Sequence, residues 1–255
     1  MSSATIYKYA NKIKLPSNAR KILKNNELKN QANFVRKFSR PKEIKTPIIS
    51  PPFIRIISHC LFDGCVINKN GDYQIKYTNS SKKEVEQFMS DFINVFGIKP
   101  QSFTYNKGKD CDWYECRFIA KKAVNKLNNY IINYSTSSPY CSINKNIIIS
   151  NYLKKIFLRC FWADEGCIDI NNKIHGKSKS LKIIKQLQRL HFSLGIKTSI
   201  WKDNTSNNYA LYVLRSKNNL NKFAEIGFGN GIITRGFYIG LEKQKVFENM
   251  LRDSF

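Results

Sequence analysis

Two apolar stretches of this chain, 102 residues apart, each end in an acidic residue followed by glycine. The first is Phe53-Ile54-Arg55-Ile56-Ile57-Ser58-His59-Cys60-Leu61-Phe62-Asp63-Gly64. The second is Tyr152-Leu153-Lys154-Lys155-Ile156-Phe157-Leu158-Arg159-Cys160-Phe161-Trp162-Ala163-Asp164-Glu165-Gly166. Both read as helices, and glycine at that place can take the left-handed conformation that stops a helix. The residues after each stretch are also alike, so a repeat of about a hundred residues organises most of the chain.

Strand-like alternation comes next. In the first copy Tyr73, Ile75 and Tyr77 share one face, while Asp72, Gln74 and Lys76 share the other. The second copy has the shorter Cys167-Ile168-Asp169-Ile170. A helix comes after it in each, marked by Val85, Phe88, Met89, Phe92 and Phe96, then by Leu181, Ile184, Leu187, Leu190 and Leu194. Both run into similar text, Phe96-Gly97-Ile98-Lys99 and Leu194-Gly195-Ile196-Lys197. Two short strands then appear in each half, Ser102–Tyr105 with Tyr114–Ile119 and Thr198–Trp201 with Tyr209–Leu214. Further helices contain Val124 and Leu127, then Leu220 and Phe223. The order is helix, hairpin, helix, hairpin, helix, twice, which predicts an α+β fold in two tandem halves. A glycine-rich tail from 227 leads to a last helix over about 241–251. The polar stretch Asn133-Tyr134-Ser135-Thr136-Ser137-Ser138-Pro139 marks the join. The expected division is an extension over 1–50 and halves over 51–134 and 135–255.

The extension carries 12 Lys or Arg residues and two acids, Glu27 and Glu43. Short helices over 12–38 are expected, and the closely spaced Pro47, Pro51 and Pro52 set a boundary by fixing an extended path. The segment reads as a basic arm for phosphates or as an organellar targeting segment. The whole chain has a formal net charge of +25. Such a chain repels itself unless something anionic sits on it, and nucleic acid is the obvious partner. A membrane is the poorer choice, because no run approaches the roughly 18 apolar residues of a spanning helix. Seven cysteines without a C-x-x-C pair argue against structural zinc and for a reducing compartment, the cytoplasm or an organelle, rather than secretion. His59 and His191 read as core or interface residues.

Two acid-ended helices from a duplicated unit can pack about a pseudo-two-fold axis and bring Asp63 and Glu165 together. Carboxylates that close repel unless a cation sits between them. Mg²⁺ suits the pair, since it takes oxygen ligands, keeps waters and borrows ligands from phosphate. It can activate a bound water and stabilise charge on a phosphodiester. An acid beside glycine at a helix end is common in isolation. A matched pair on a strongly basic chain needs a purpose, because carboxylates weaken phosphate binding.

At these residues the chain resembles the LAGLIDADG homing endonuclease family. The motif copies are Ile56-Ile57-Ser58-His59-Cys60-Leu61-Phe62-Asp63-Gly64 and Leu158-Arg159-Cys160-Phe161-Trp162-Ala163-Asp164-Glu165-Gly166, and the likeness extends over about 53–255. The resemblance implies two α-β-β-α-β-β-α halves with saddle-shaped antiparallel sheets on the major groove of double-stranded DNA. It implies a functional monomer that cuts both strands of a long asymmetric site, leaving four-nucleotide 3′ overhangs. It implies that Asp63 and Glu165, with the adjoining Gly64 and Gly166, hold Mg²⁺. Mn²⁺ or Ca²⁺ would occupy the same place, Ca²⁺ without supporting cleavage. The family lysine between last strand and last helix matches Lys217, and Lys122 or its neighbour Lys121 in the first half. Phe62 and Asp164 depart from the small residues expected where the motif helices touch. A shifted register would put Cys65 in the place of Asp63, but a thiol is a poor Mg²⁺ ligand.

Gln74, Lys76, Gln101, Tyr105, Arg117, Lys197, Trp201, Lys202, Tyr212 and Arg215 lie on or beside the predicted strands. Polar side chains there can read base edges, or they decorate a solvated face, and Trp201 and the tyrosines can equally pack the sheet. Rival readings on the same scaffold are an intron maturase binding intron RNA, a non-cleaving sequence-specific DNA binder and an RNA-processing nuclease.

Overall fold

The computed structural model of the chain describes residues 26, 47–69, 71–108, 112–134, 138–144, 147, 150–203, 206–229, 231–234 and 237–253. Most of the basic extension, with the short helices expected over 12–38, therefore lies outside the described residues. Ile44–Phe255 form one compact unit, distinct from Met1–Glu43.

The first half runs α1 (Pro51–Leu61), β1 (Gly64–Lys69), β2 (Asp72–Asn79), α2 (Lys82–Phe96), β3 (Ser102–Asn106), β4 (Trp113–Ile119) and α3 (Lys121–Leu127). The join holds β5 (Ile131–Ile132) and β6 (Ser142–Ile143). The second half repeats the first as α4 (Asn151–Glu165), β7 (Gly166–Ile168), β8 (Ile174–Ser178), α5 (Leu181–Ser193), β9 (Thr198–Asp203), β10 (Asn208–Val213) and α6 (Lys217–Ala224). The final helix is α7 (Lys243–Asp253). Serine side chains cap four helices, Ser81, Ser150, Ser180 and Ser216 each accepting from the backbone N–H three residues on. The two four-stranded antiparallel sheets share one order, β1-β2-β4-β3 and β7-β8-β10-β9.

Four expectations need correction. Pro51 and Pro52 do not extend the chain ahead of the first helix; they form its opening turn, where the missing N–H costs nothing. Gly64 and Gly166 do not stop their helices by left-handed geometry, since Gly166 has φ −72° and ψ 142° and Gly64 is not among the positive-φ glycines. Their reason is space: a Cβ at Gly64 would lie 2.6 Å from the His59 carbonyl oxygen, and one at Gly166 2.3 Å from that of Trp162. The chain can thus turn straight from helix into strand. Strand β8 escaped the sequence pattern because Gly176 and Ser178 stand where apolar residues usually mark the inner face. Phe161 fills the space over Gly176. In the join, β5 and β6 pair as a short antiparallel ribbon where only a polar linker was expected.

Helices α1 and α4 pack against each other at the centre. Phe62 meets Phe157 and Phe161 with ring centroids 5.6 and 5.1 Å apart. Arg55 ties α1 to α2 through a bidentate bond to Asp91, Nε to Oδ2 at 2.6 Å and Nη2 to Oδ1 at 2.8 Å. One apolar core continues through both halves. In the second, Trp162 packs against Phe161, His191, Phe223 and Phe228. Its Nε1–H donates to His191 Nε2 at 2.9 Å, while His191 Nδ1 lies 2.8 Å from the Leu187 carbonyl oxygen.

That geometry holds His191 as neutral imidazole, and burial lowers its pKa to about 4. The unfolded chain binds this proton near pH 6.5 and the folded chain resists it. The stabilisation is complete above pH 6.5 and is lost as pH falls toward 4. We expect the wild type to lose about 2–3 kcal/mol more than His191→Gln between pH 7.5 and 4.5. Urea titrations at the two pH values measure this, and equal losses would show that the imidazole is not held neutral.

Candidate active site

Asp63 follows the end of α1 and Glu165 is the last residue of α4, so each leaves its helix as the chain enters the first strand of its sheet. The packing of these helices brings both acids to one cavity of about 300 Å³. Asn79, Ser80, Asp164, Ile232, Ile233 and Lys243 are among its other lining residues. Asp63 is exposed and Glu165 half-buried. Cys65, the alternative from a shifted register, sits in β1 and does not line the cavity.

Asp164, the odd residue of the second motif, belongs to the joint between the halves. Its side chain is fully buried. Oδ2 lies 2.8 Å from His59 Nδ1, and Oδ1 accepts from Tyr77 Oη at 2.9 Å and Asn79 Nδ2 at 3.3 Å. All three partners come from the first half. Burial alone would push the His59 imidazole down, but the Asp164 charge, with Cys160, raises it well above its usual value. His59 therefore stands as a cation against a carboxylate, with Glu84 3.8 Å from its other nitrogen. Burial raises Tyr77, and the Asp164 charge adds to that, which keeps the phenol protonated as a donor. With both oxygens engaged, Asp164 belongs to the joint between the halves rather than to the cavity's acid pair.

The lysines suggested by the resemblance are placed elsewhere. Lys217 opens α6, Lys122 lies in α3, and Lys121 sits with its Nζ 5.0 Å from the Tyr73 ring centre. Neither Lys122 nor Lys217 is among the described residues lining the acid cavity. Lys243 is. It is 8% exposed, and its Nζ donates to the Ala163 carbonyl at 2.8 Å. Burial lowers its pKa, opposed by the charges of Asp63, Asp164 and Glu165. Sequence reasoning missed this residue because the bridge that leads into its helix, Ile233 with Glu242, is too short to leave a pattern. A signal existed: Lys243 falls on the same helical stripe as the buried Val246, Phe247 and Met250.

The cavity fits a small hard divalent cation. It offers the carboxylates of Asp63 and Glu165 and the main chain at Gly166, all oxygen donors. Among the described residues, no group of three or more His, Cys, Asp or Glu gathers into a cage. Two carboxylates with room beside them match an ion that completes its shell with water and phosphate.

Strand register sorts the base-reading candidates. In the first sheet Lys76 stands opposite Arg117, on the face away from Ile75, Tyr77, Cys116 and Phe118; Gln74 falls on the same side but is buried, its amide donating to Asp72. Arg117 Nε has no hydrogen-bond partner among the described residues. Tyr105 pairs with Tyr114 on the opposite, helix-side face and donates to Asp112. In the second sheet Tyr212, Trp201 and His175 share the open face, and Lys202 opposite Tyr209 falls on the other. Trp201, Tyr212 and Arg215 line a second cavity of about 440 Å³. Gln101 and Lys197 are exposed just ahead of β3 and β9. His175, absent from the sequence-based set, has its Nδ1 without a partner among the described residues.

Two α-β-β-α-β-β-α halves, joined through acid-ended helices at the centre, define the LAGLIDADG fold. Residues 153–227 match the family model of the LAGLIDADG-like domain, which bears out the resemblance read in the sequence. The structure is similar to that of I-DmoI in complex with DNA and Mn, with a TM-score of 0.52 and 18% identity over 72% of this chain and 100% of that one. It is likewise similar to I-DmoI in complex with DNA and Ca, with a TM-score of 0.51 and 16% identity over 79% and 98%. Mesophilic variants from the homing endonuclease I-DmoI match with a TM-score of 0.51 and 17% identity over 70% and 96%. No curated protein matches the chain in sequence.

Removing Asp164 leaves His59 buried without its carboxylate. Asp164→Ala is expected to cost about 3 kcal/mol in a urea titration at neutral pH. A loss below about 1 kcal/mol, the range of a surface pair, would show that the network does not hold the halves together.

Proposed function

We propose that the chain is a site-specific endonuclease that hydrolyses phosphodiester bonds on both strands of a long asymmetric DNA target. The observation that carries this reading is the meeting of Asp63 and Glu165 in one cavity between two like sheets. The likeness to I-DmoI, described with DNA and divalent metal, supports it. In this reading Asp63 and Glu165, with the main chain at Gly64 and Gly166, hold Mg²⁺. The bound ion supplies an activated water and offsets charge on the scissile phosphate.

The chain's own residues do the rest. The sheets track the major groove, where Gln74, Lys76 and Arg117 in one half and Trp201, Tyr212 and Arg215 in the other meet base edges and phosphates. Arg117 and Lys76, opposed across β4 and β2, supply adjacent donors. The pseudo-two-fold relation of the halves matches the two antiparallel strands, so one acid from each half serves both cuts. One chain holds both halves, and it acts as a monomer. Four-nucleotide 3′ overhangs are the expected products.

Cleavage of a randomised duplex library with Mg²⁺, read by sequencing the ends, tests this. Defined sites with four-base 3′ overhangs are expected from the wild type. Asp63→Asn and Glu165→Gln should each lower the rate on the order of 10³-fold or more. Specific binding without cuts would replace this reading with a non-cleaving DNA binder. Preference for structured intron RNA over any duplex would replace it with a maturase.

A further inference from the structure

Lys182, Lys185, Arg189 and Phe192 recur along α5 at spacings of three and four, so their side chains share one stripe of the helix. All four are exposed, Phe192 by 77%. Lys179, also exposed, extends the charge ahead of the helix. From Lys182 to Phe192 the stripe is about 15 Å long. No acidic residue occurs from Ile170 to Lys202. No salt bridge among the described residues reaches the four cations. The helix at the same place in the first half differs. There α2 carries Glu84, Glu86 and Asp91, and Lys82 is paired with Glu86 at 3.4 Å. The repeat itself therefore does not require an uncompensated basic face on α5.

The other side of α5 packs on the second sheet. Ile183, Ile184, Leu187 and His191 are buried, and the helix lies against β8, β9 and β10. Gln188 Nε2 donates to the Thr198 carbonyl at 3.2 Å. Trp201, Tyr212 and His175 stand on the far face of that sheet. A duplex held on that face cannot touch the stripe, so target reading does not explain it. Lys185 and Arg189, four residues apart, repel each other, a cost that an anionic partner removes.

We propose that the outer face of α5 is a second nucleic-acid site, binding RNA with unpaired bases while the sheets hold DNA. Lys182, Lys185 and Arg189 contact phosphates, and Phe192 stacks on the face of an unpaired base. The exposed ring decides the class of partner. Bases in duplex DNA present only their edges, whereas loops and bulges of folded RNA present whole base faces. Stacking accepts any base and phosphate contacts carry no sequence, so this site selects looped structure rather than a particular sequence. The proposal goes beyond the endonuclease reading and does not depend on it.

Binding of the full chain to labelled RNA hairpins with randomised loops, in Ca²⁺, tests this. The hairpins should bind about tenfold more tightly than fully paired RNA of the same length. Saturating target duplex should change that affinity by less than about threefold, as for independent sites. Phe192→Ala should weaken hairpin binding about tenfold without changing its salt dependence. Lys182→Gln, Lys185→Gln and Arg189→Gln together should flatten the slope of log affinity against log salt by about 2, at about 0.7 per phosphate contact. Both variants should cut target DNA at the wild-type rate, and Lys83→Gln on α2 should bind RNA normally. Displacement of the hairpins by target duplex, or hairpin binding untouched in both variants, would overturn the proposal. Equal affinity for fully paired RNA, or for single-stranded DNA of the same sequences, would overturn the assignment to looped RNA. No specific duplex binding or cleavage by the wild type would overturn the endonuclease reading alone, since the two variants still decide this one.

Discussion

The two halves are locked by one buried carboxylate. Asp164 leaves α4 and enters the first half, where His59, Tyr77 and Asn79 share its two oxygens. An unpaired charge there would be intolerable, so α1 and α4 can meet in few ways other than this one. Phe62 then closes on Phe157 and Phe161, and apolar contact supplies the driving force that the ion pair alone lacks. The positions of Asp63 and Glu165 result from that joint. So does the placing of the two sheets on either side of it, because each strand leads directly from its acid.

Charge is used in opposite ways at the surface and at the centre. A formal +25 spread over the molecule attracts a polyanion from a distance. The centre is acidic, with Asp63, Asp164 and Glu165 side by side around the cavity. Like charges that close are held by counter-charges of two kinds. His59 answers Asp164 inside the protein, its Nδ1 2.8 Å from the carboxylate. Asp63 and Glu165 sit beside Lys243 in a space that still has room for a hard cation.

Much of this was legible in the sequence, because the halves repeat the same order of helix and strand with apolar periods that match their geometry. The strands whose inner faces carry ordinary apolar residues, such as β2 with Ile75 and Tyr77, could be read. Strand β8 could not, since its inner face is lined by Gly176 and Ser178 to make room for Phe161. The acids Asp63 and Glu165 could be found from their repetition. The partners of Asp164 could not, because bonds that reach across 85 to 105 residues leave no local pattern. Lys243 follows a bridge too short to leave a pattern in the sequence. Only its position on an apolar stripe sets it apart from the other basic residues.

The joint between the halves is not self-complementary. The first half brings an imidazole, a phenol and an amide; the second brings the carboxylate they require. Two copies of the first half facing each other would bury two imidazoles with no carboxylate between them. Two copies of the second would bury two carboxylates with nothing to donate. A chain severed in the join would thus yield pieces that reject their own kind and accept each other. The two halves of the one polypeptide are thus lock and key, each carrying half of the joint.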